Sequence, residues 1–243
     1  MNQKCALITG ASRGIGRAAA ITFAAAGYNL AITCSKDIKG LKKTIKEIEN
    51  YPVNYISDIF DIGNYNDCNN FIKKVIERFG NIDVLVNNAG ISHISLLQDM
   101  TFDEWNKIIS TNLTSVFNCC NSALPSMLHN KKGSIINISS VWGNVGASCE
   151  VAYSASKGGI NAFTKALGKE LAPSGIRVNA IACGAVDTAM NHCFSDEDIE
   201  ALNNEIPAGR FASTKEVAEL ILDIAQNHPY LTGQVITLDG GWT

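Results

Sequence analysis

Residues 7–20 read LITGASRGIGRAAA, and this stretch decides the fold. An apolar run, Ala6–Thr9, gives way to Gly10, Gly14 and Gly16 and then to an alanine-rich run that favours helix. Glycine loses more conformational freedom on folding than any other residue, so three in seven positions need a reason. With a strand at 6–9 and a helix over about 15–26, Gly10 sits at the tight turn. Gly14 leaves room for a phosphate to approach the backbone, and Gly16 lets the helix pack closely on the sheet. The unpaired N–H groups of that helix start, with their partial positive charge, suit a pyrophosphate. The spacing is GxxxGxG, not the GxGxxG of the dinucleotide fingerprint. The stretch alone also fits a tight turn without a ligand, so other features must agree with it.

Working outward, short apolar runs alternate with longer amphipathic ones. Strands are expected at Ala6–Thr9, Asn29–Thr33, Val53–Ser57, Val84–Asn87, Ser134–Ile138, Arg177–Ile181 and Gln234–Leu238. Helices are expected at roughly 15–26, 37–50, 65–79, 102–128, 152–172 and 214–227, the last opened by a Ser213/Glu216 capping box and followed by Pro229. Sustained alternation predicts an α/β fold, a doubly wound Rossmann-type parallel sheet of about seven strands with helices on both faces. No linker or repeat divides the chain, so 1–243 is expected to be a single domain. Residues 187–212 break the rhythm, and a lid and an ordinary surface helix are the two readings of them.

The 243 residues are 46% hydrophobic and 18% charged, enough apolar material for a sizeable core, with a net charge of −3. That balance offers no general basic field for nucleic acid or an anionic membrane. Eight cysteines lack any CxxC pair, and no signal peptide precedes the first apolar run, so reduced thiols in a cytoplasmic protein are expected. No run of 18 apolar residues is present to span a membrane, and no histidine has metal-ligand spacing.

Tyr153 and Lys157 are four apart on an expected helix and share a face. An ammonium near a phenol is expected to draw its pKa down towards the operating pH, which suits proton transfer to or from an alcohol oxygen. Such a pair by itself is common on exposed helices. Ser140 strengthens it, lying just past an expected strand, where open α/β sheets place ligands. Ser139 is its adjacent rival.

Thr9-Gly10-Ala11-Ser12-Arg13-Gly14-Ile15-Gly16 resembles the TGxxxGxG motif of the short-chain dehydrogenases/reductases, and Asn87-Asn88-Ala89-Gly90 resembles their NNAG. Asn112, Ser140, Tyr153 and Lys157 fall where that superfamily has its catalytic tetrad. The resemblance runs from about residue 5 to the C-terminus. It implies a hydride transferred from nicotinamide to a carbonyl carbon, with Tyr153 giving the proton. Lys157, a water and Asn112 would then resupply it, with Lys157 also on the nicotinamide ribose. Read from propensity alone, Asn112 is a solvated helix position.

The resemblance further implies cofactor contacts at Gly10, Ser12, Arg13, Gly14, Ile15, Gly16, Asn88, Ala89, Gly90, Tyr153, Lys157 and Val186. It sets Asp61-Ile62 against adenine, with Asp58 as the neighbouring alternative, and Thr188 on the carboxamide. The usual Pro-Gly before that last loop is Cys183-Gly184 here. At the end of the second strand, Cys34 or Ser35 stands where an acidic residue would select NAD. Lys36 and Arg13 favour NADP(H), while Asp37 argues the other way.

Ile206-Pro207-Ala208-Gly209-Arg210, Leu231-Thr232-Gly233-Gln234 and the terminal Asp239-Gly240-Gly241 are most similar to the 3-oxoacyl-[acyl-carrier-protein] reductases. They also occur in related sugar and alcohol dehydrogenases. This resemblance implies a carrier-linked acyl substrate, an acidic carrier protein docking at Lys131 and Lys132, and a homotetramer. The same lysines also read as a plain turn before a strand. The acyl pocket is expected around Trp142 and Val145, Ile91–Leu97 and 189–206, with His93 at its rim. The rival readings are an NAD(P)-dependent alcohol or sugar dehydrogenase and a dinucleotide-sensing protein without turnover.

Overall fold

The computed structural model describes residues 3–191 and 195–243. Seven strands form one sheet: β1 (Cys5–Ile8), β2 (Asn29–Cys34), β3 (Tyr55–Ile59), β4 (Val84–Asn87), β5 (Gly133–Ser140), β6 (Ile176–Cys183) and β7 (Val235–Leu238). Their order is β3-β2-β1-β4-β5-β6-β7, and every neighbouring pair is parallel. The chain reverses its direction of travel across the sheet between β1 and β4. That is the switch point, where the crevice beyond the strand ends holds ligands in open α/β sheets.

The helices are α1 (Gly14–Ala25), α2 (Ile38–Ile48), α3 (Tyr65–Phe79), α4 (Phe102–Ile109), α5 (Ser115–Asn130), α6 (Trp142–Val145), α7 (Val151–Leu171), α8 (Asp196–Glu205) and α9 (Thr214–Asn227). Side chains alternate across a strand, so the apolar strands feed two separate cores. Ala6, Ile8, Val84, Val86, Ile136 and Ile181 join Phe23 of α1, Leu41 of α2 and Ile221 of α9 on one face. Cys5, Leu7, Leu85, Ile135 and Val178 join Phe71 of α3, Val116 and Met127 of α5 and Ile160 of α7 on the other. This division is why the strands read as nearly unbroken apolar runs.

All seven expected strands are present, with shifted ends. β3 starts two residues late, because the Val53 N–H turns back to the Tyr51 carbonyl at 2.8 Å. β5 and β6 run two residues further than expected, pairing as far as Ser140 with Cys183. The helix expected over 102–128 is two helices joined by a π-helical turn, Ser110–Thr114. α6 was not legible as a helix. In 187–212, Val186 bridges to Ala212 and α8 lies between them, so the excursion leaves and rejoins the body at one place. Cys193 lies outside the described residues. The remaining seven cysteines are free thiols, and no described helix is long and apolar enough to cross a membrane.

Candidate active site

The glycine loop is built for close approach. Gly10 (φ 68°) and Gly14 (φ 56°) hold left-handed backbone that other residues rarely adopt. A Cβ on Gly16 would lie 2.3 Å from the Gly10 carbonyl oxygen and 2.5 Å from the Asn88 amide nitrogen. Gly16 therefore packs on the loop itself and on the end of β4, not on the sheet face expected from sequence. Gly14 lies against Thr188, whose Cγ2 would be 3.4 Å from an added Cβ. α1 has no side-chain N-cap bond and no acidic residue in its first turn, so its start is left open to an anion.

Thr9 and Asn88 lock the two strand ends at the switch point. The Thr9 hydroxyl accepts from the Asn88 and Ala89 N–H groups, each at 3.0 Å, and the Asn88 side chain donates to the Thr9 carbonyl at 2.8 Å. Arg17 braces the loop from behind, donating to the Ser12 and Gly40 carbonyls and to the Thr44 hydroxyl. Neither Thr9 nor Arg17 is a sequence-predicted site residue. Their roles are bonds to distant backbone, which local spacing does not encode. Ser12 is buried, Ile15 half-buried and Arg13 exposed. A cleft of about 360 Å³ opens beside the loop, lined by Gly14, Arg17, Ala18, Ile21, Asp187, Thr188, Ala189 and Thr214. Among the other sequence-predicted contacts, Val186 is buried and Thr188 half-buried.

At the end of β2, Ser35 and Lys36 are exposed. Asp37 caps α2, its carboxylate accepting from the Gly40 N–H at 2.8 Å. After β3, Asp61 is exposed and ion-paired to Lys107 at 2.6 Å, which holds its carboxyl below the usual range. Ile62 beside it is buried in the core. Asp58, the alternative, pairs with Lys74 at 3.2 Å.

The four tetrad positions converge at the strand ends of β4 and β5. Gly90 marks the meeting place: a Cβ there would lie 3.5 Å from both Lys157 Nζ and Asn112 Oδ1. Strand alternation separates the two serines. Ser139 turns back and donates to the Lys157 carbonyl at 3.3 Å. Ser140 faces the crevice, accepts from the Trp142 N–H at 3.2 Å and is a hydrogen-bond partner of the Tyr153 phenol. Lys157 is 4% exposed, donates to the Ile138 carbonyl at 2.8 Å and stands 5.5 Å from the centre of the Tyr153 ring.

Asn112 is fully buried in the π-turn, contrary to the solvated reading. It accepts from the Ile91 N–H at 2.8 Å and donates to the Ile91 carbonyl at 2.9 Å and the Ser156 hydroxyl at 3.0 Å. Ser156 in turn donates to the Tyr153 carbonyl at 2.7 Å. Ser156 is a further residue missed in the sequence, since serine inside a helix carries no signal of what it faces.

The electrostatics correct one expectation. The Tyr153 pKa is raised, not drawn down, because burial of the phenol outweighs the Ser140 hydrogen bond, with the Glu150 and Cys183 charges adding to the rise. Burial also pushes Lys157 down to about 8 and Cys183 up to about 12. The phenol is therefore protonated at neutral pH.

Around the mouth, Trp142 meets Trp242 edge-on at 5.0 Å, and His93 pairs with Glu104 at 3.3 Å. Lys131 and Lys132 do not lie beside the site. Lys131 (φ 49°) ends α5, and both precede β5, whose eight residues separate them from Ser140 by roughly 23 Å.

The family described as short chain dehydrogenase matches residues 4–198. The chain is 40% identical to the 3-oxoacyl-[acyl-carrier-protein] reductase FabG of Staphylococcus aureus over 239 residues, 98% of this chain and 97% of the relative. It is equally identical to that of Thermotoga maritima over 240 residues, again 98% of this chain and 97% of the relative. It is 38% identical to the uncharacterized oxidoreductase YmfI of Bacillus subtilis, covering 98% of both. Among solved structures, a variant of actinorhodin polyketide ketoreductase with NADPH superposes with a TM-score of 0.94 at 33% identity, covering 99% of this chain and 97% of that one. With the fold, the glycine loop and the converging tetrad residues, these likenesses make the chain a member of the short-chain dehydrogenase/reductase family and an NAD(P)-dependent oxidoreductase.

Proposed function

We propose that the protein reduces a 3-oxoacyl thioester, carried on an acyl carrier protein, to the 3-hydroxyacyl form with NADPH. The observation that carries the chemistry is Lys157 and Asn112 together beside Gly90, with the Tyr153 ring 5.5 Å from the Lys157 ammonium and Ser140 acting on its phenol. The 40% identity to 3-oxoacyl-[acyl-carrier-protein] reductases over nearly the whole chain supports the substrate class.

The residues present fit a dinucleotide. The positive φ of Gly10 and Gly14 and the uncapped start of α1 together suit a pyrophosphate. When bound, the dihydronicotinamide supplies the hydride. Thr188 and Val186 would hold its carboxamide end, Lys157 its ribose and Asp61-Ile62 the adenine. Arg13 and Lys36 would receive a 2′-phosphate. The preference for NADPH over NADH rests on these two cations; Asp37 caps α2 through the Gly40 N–H.

Ser140 holds the substrate carbonyl oxygen by a hydrogen bond. Tyr153 delivers its phenolic proton to that oxygen as the carbonyl carbon gains the hydride, giving the alcohol. Lys157 stabilises the resulting phenolate, and the proton returns through Lys157 and water at Asn112. The protein would act as a homotetramer; Phe117 and Leu128 on α5 are exposed apolar side chains suited to a second copy.

Steady-state kinetics test the reading. An acetoacetyl thioester should exceed sugars and simple ketones in kcat/KM by at least tenfold, and NADPH should exceed NADH by a similar margin. A free sugar or simple alcohol as the best substrate would favour the alcohol or sugar dehydrogenase reading.

A further inference from the structure

Glu150 immediately precedes α7, one turn before Tyr153, yet its side chain makes no capping bond to that helix. The starts of α4, α8 and α9, by contrast, are each closed by a capping box. The Glu150 carboxylate instead reaches across the mouth and accepts a hydrogen bond from the Ser92 hydroxyl. One residue earlier, the Cys149 carbonyl accepts from the Ser95 N–H at 2.8 Å. Two bonds thus clasp the loop after β4, just beyond Gly90, to the start of α7, just before Tyr153. Cys149 (φ 61°) makes the left-handed bend that turns the chain into this position.

The groups acting on the phenol are Ser140 from β5, Cys183 from β6 and Glu150 just before α7, and the Lys157 ammonium of α7 stands 5.5 Å from the ring centre. The His93–Glu104 pair stands further out on the loop side. The Lys157 ammonium is buried beneath the ring and bonded to the Ile138 carbonyl. The half-buried Glu150 carboxylate is thus held three residues before Tyr153 and against Ser92 of the loop after β4, and its charge adds to the rise in the phenol's pKa.

We propose that Glu150 is a charge filter: its carboxylate admits neutral 3-oxo esters and thioesters and repels substrates carrying a free carboxylate next to the ketone. This rests on the thioester reading above and deepens it. Two like charges several ångströms apart at an effective dielectric near 20 reduce binding by about tenfold or more. A filter of that kind keeps hydrolysed substrate, the free 3-oxo acid, from occupying the site.

The Glu150→Gln variant keeps an acceptor for Ser92 and removes only the charge. With NADPH at low salt, kcat/KM is measured for ethyl acetoacetate and for acetoacetate in both proteins. The ester-to-acid ratio is expected to fall about tenfold in the variant. In the wild type it should shrink towards that value as salt is raised, because a charge at the rim is screened. The same two ligands are titrated against the NADP-bound proteins by tryptophan fluorescence, which reads the ratio of affinities without turnover. A ratio unchanged by Glu150→Gln in kinetics and in binding overturns the filter. A shifted binding ratio in a protein that reduces neither these ligands nor an acetoacetyl thioester upholds the filter and overturns the thioester reading.

Discussion

Lys157 shows at the scale of one residue how function opposes stability. Burial lowers its pKa from 10.5 to about 8, so the folded state disfavours the ammonium. At about 1.4 kcal/mol per pH unit this costs about 3 kcal/mol below pH 8. In the unfolded chain the lysine binds its proton up to 10.5. The penalty is therefore full at neutral pH and is relieved as pH rises from about 8 to 10.5. Lys157→Met, which keeps the bulk and removes the charge, is expected to raise stability at pH 7 by about 1–3 kcal/mol in urea unfolding while abolishing turnover. A less stable variant would show that the bond to Ile138 outweighs the burial. The identities of Tyr153, Lys157 and Ser140 were legible in the sequence, because a four-residue spacing and a strand end are local patterns. The direction of the tyrosine's pKa was not, since it depends on burial supplied by β5, β6 and α7 together.

Elements carry the next level of control, and the π-turn between α4 and α5 is the clearest case. Asn112 there makes three hydrogen bonds, two of them to the Ile91 backbone. Asn112→Ala would leave buried groups unpaired and is expected to cost about 2–3 kcal/mol in unfolding free energy, together with a lower kcat. An unchanged unfolding midpoint would contradict this role. Thr101→Ala, which opens the capping box of α4, is expected to cost about 1 kcal/mol without changing kcat. The Ser213/Glu216 box of α9 could be read from sequence because its partners are three residues apart. The π-turn could not, because the partners that hold Asn112, the Ile91 backbone and the Ser156 hydroxyl, come from the β4 loop and α7. The last two residues of β5 and β6 were also missed: they pair with each other, and Ser139, Ser140 and Cys183 look locally like a strand's end.

At the scale of the whole molecule, two cores on a parallel sheet support the switch point, and the proposed preference for NADPH rests on the charges around it. Alternating patterns made the parallel sheet legible; the order of its strands was not, since pairing between distant segments leaves no local trace. With Asp37 committed to α2, Lys36→Glu is expected to lower kcat/KM for NADPH at least tenfold and to change that for NADH little. An equal loss with both cofactors would remove Lys36 from the phosphate site. Within this frame everything converges on the phenol of Tyr153. The most direct test is turnover of an acetoacetyl thioester by Tyr153→Phe, with NADPH binding measured in parallel by fluorescence. The account predicts a fall in kcat of about 10³-fold with cofactor affinity kept within about threefold. A variant that reduces the thioester at close to the wild-type rate would contradict it.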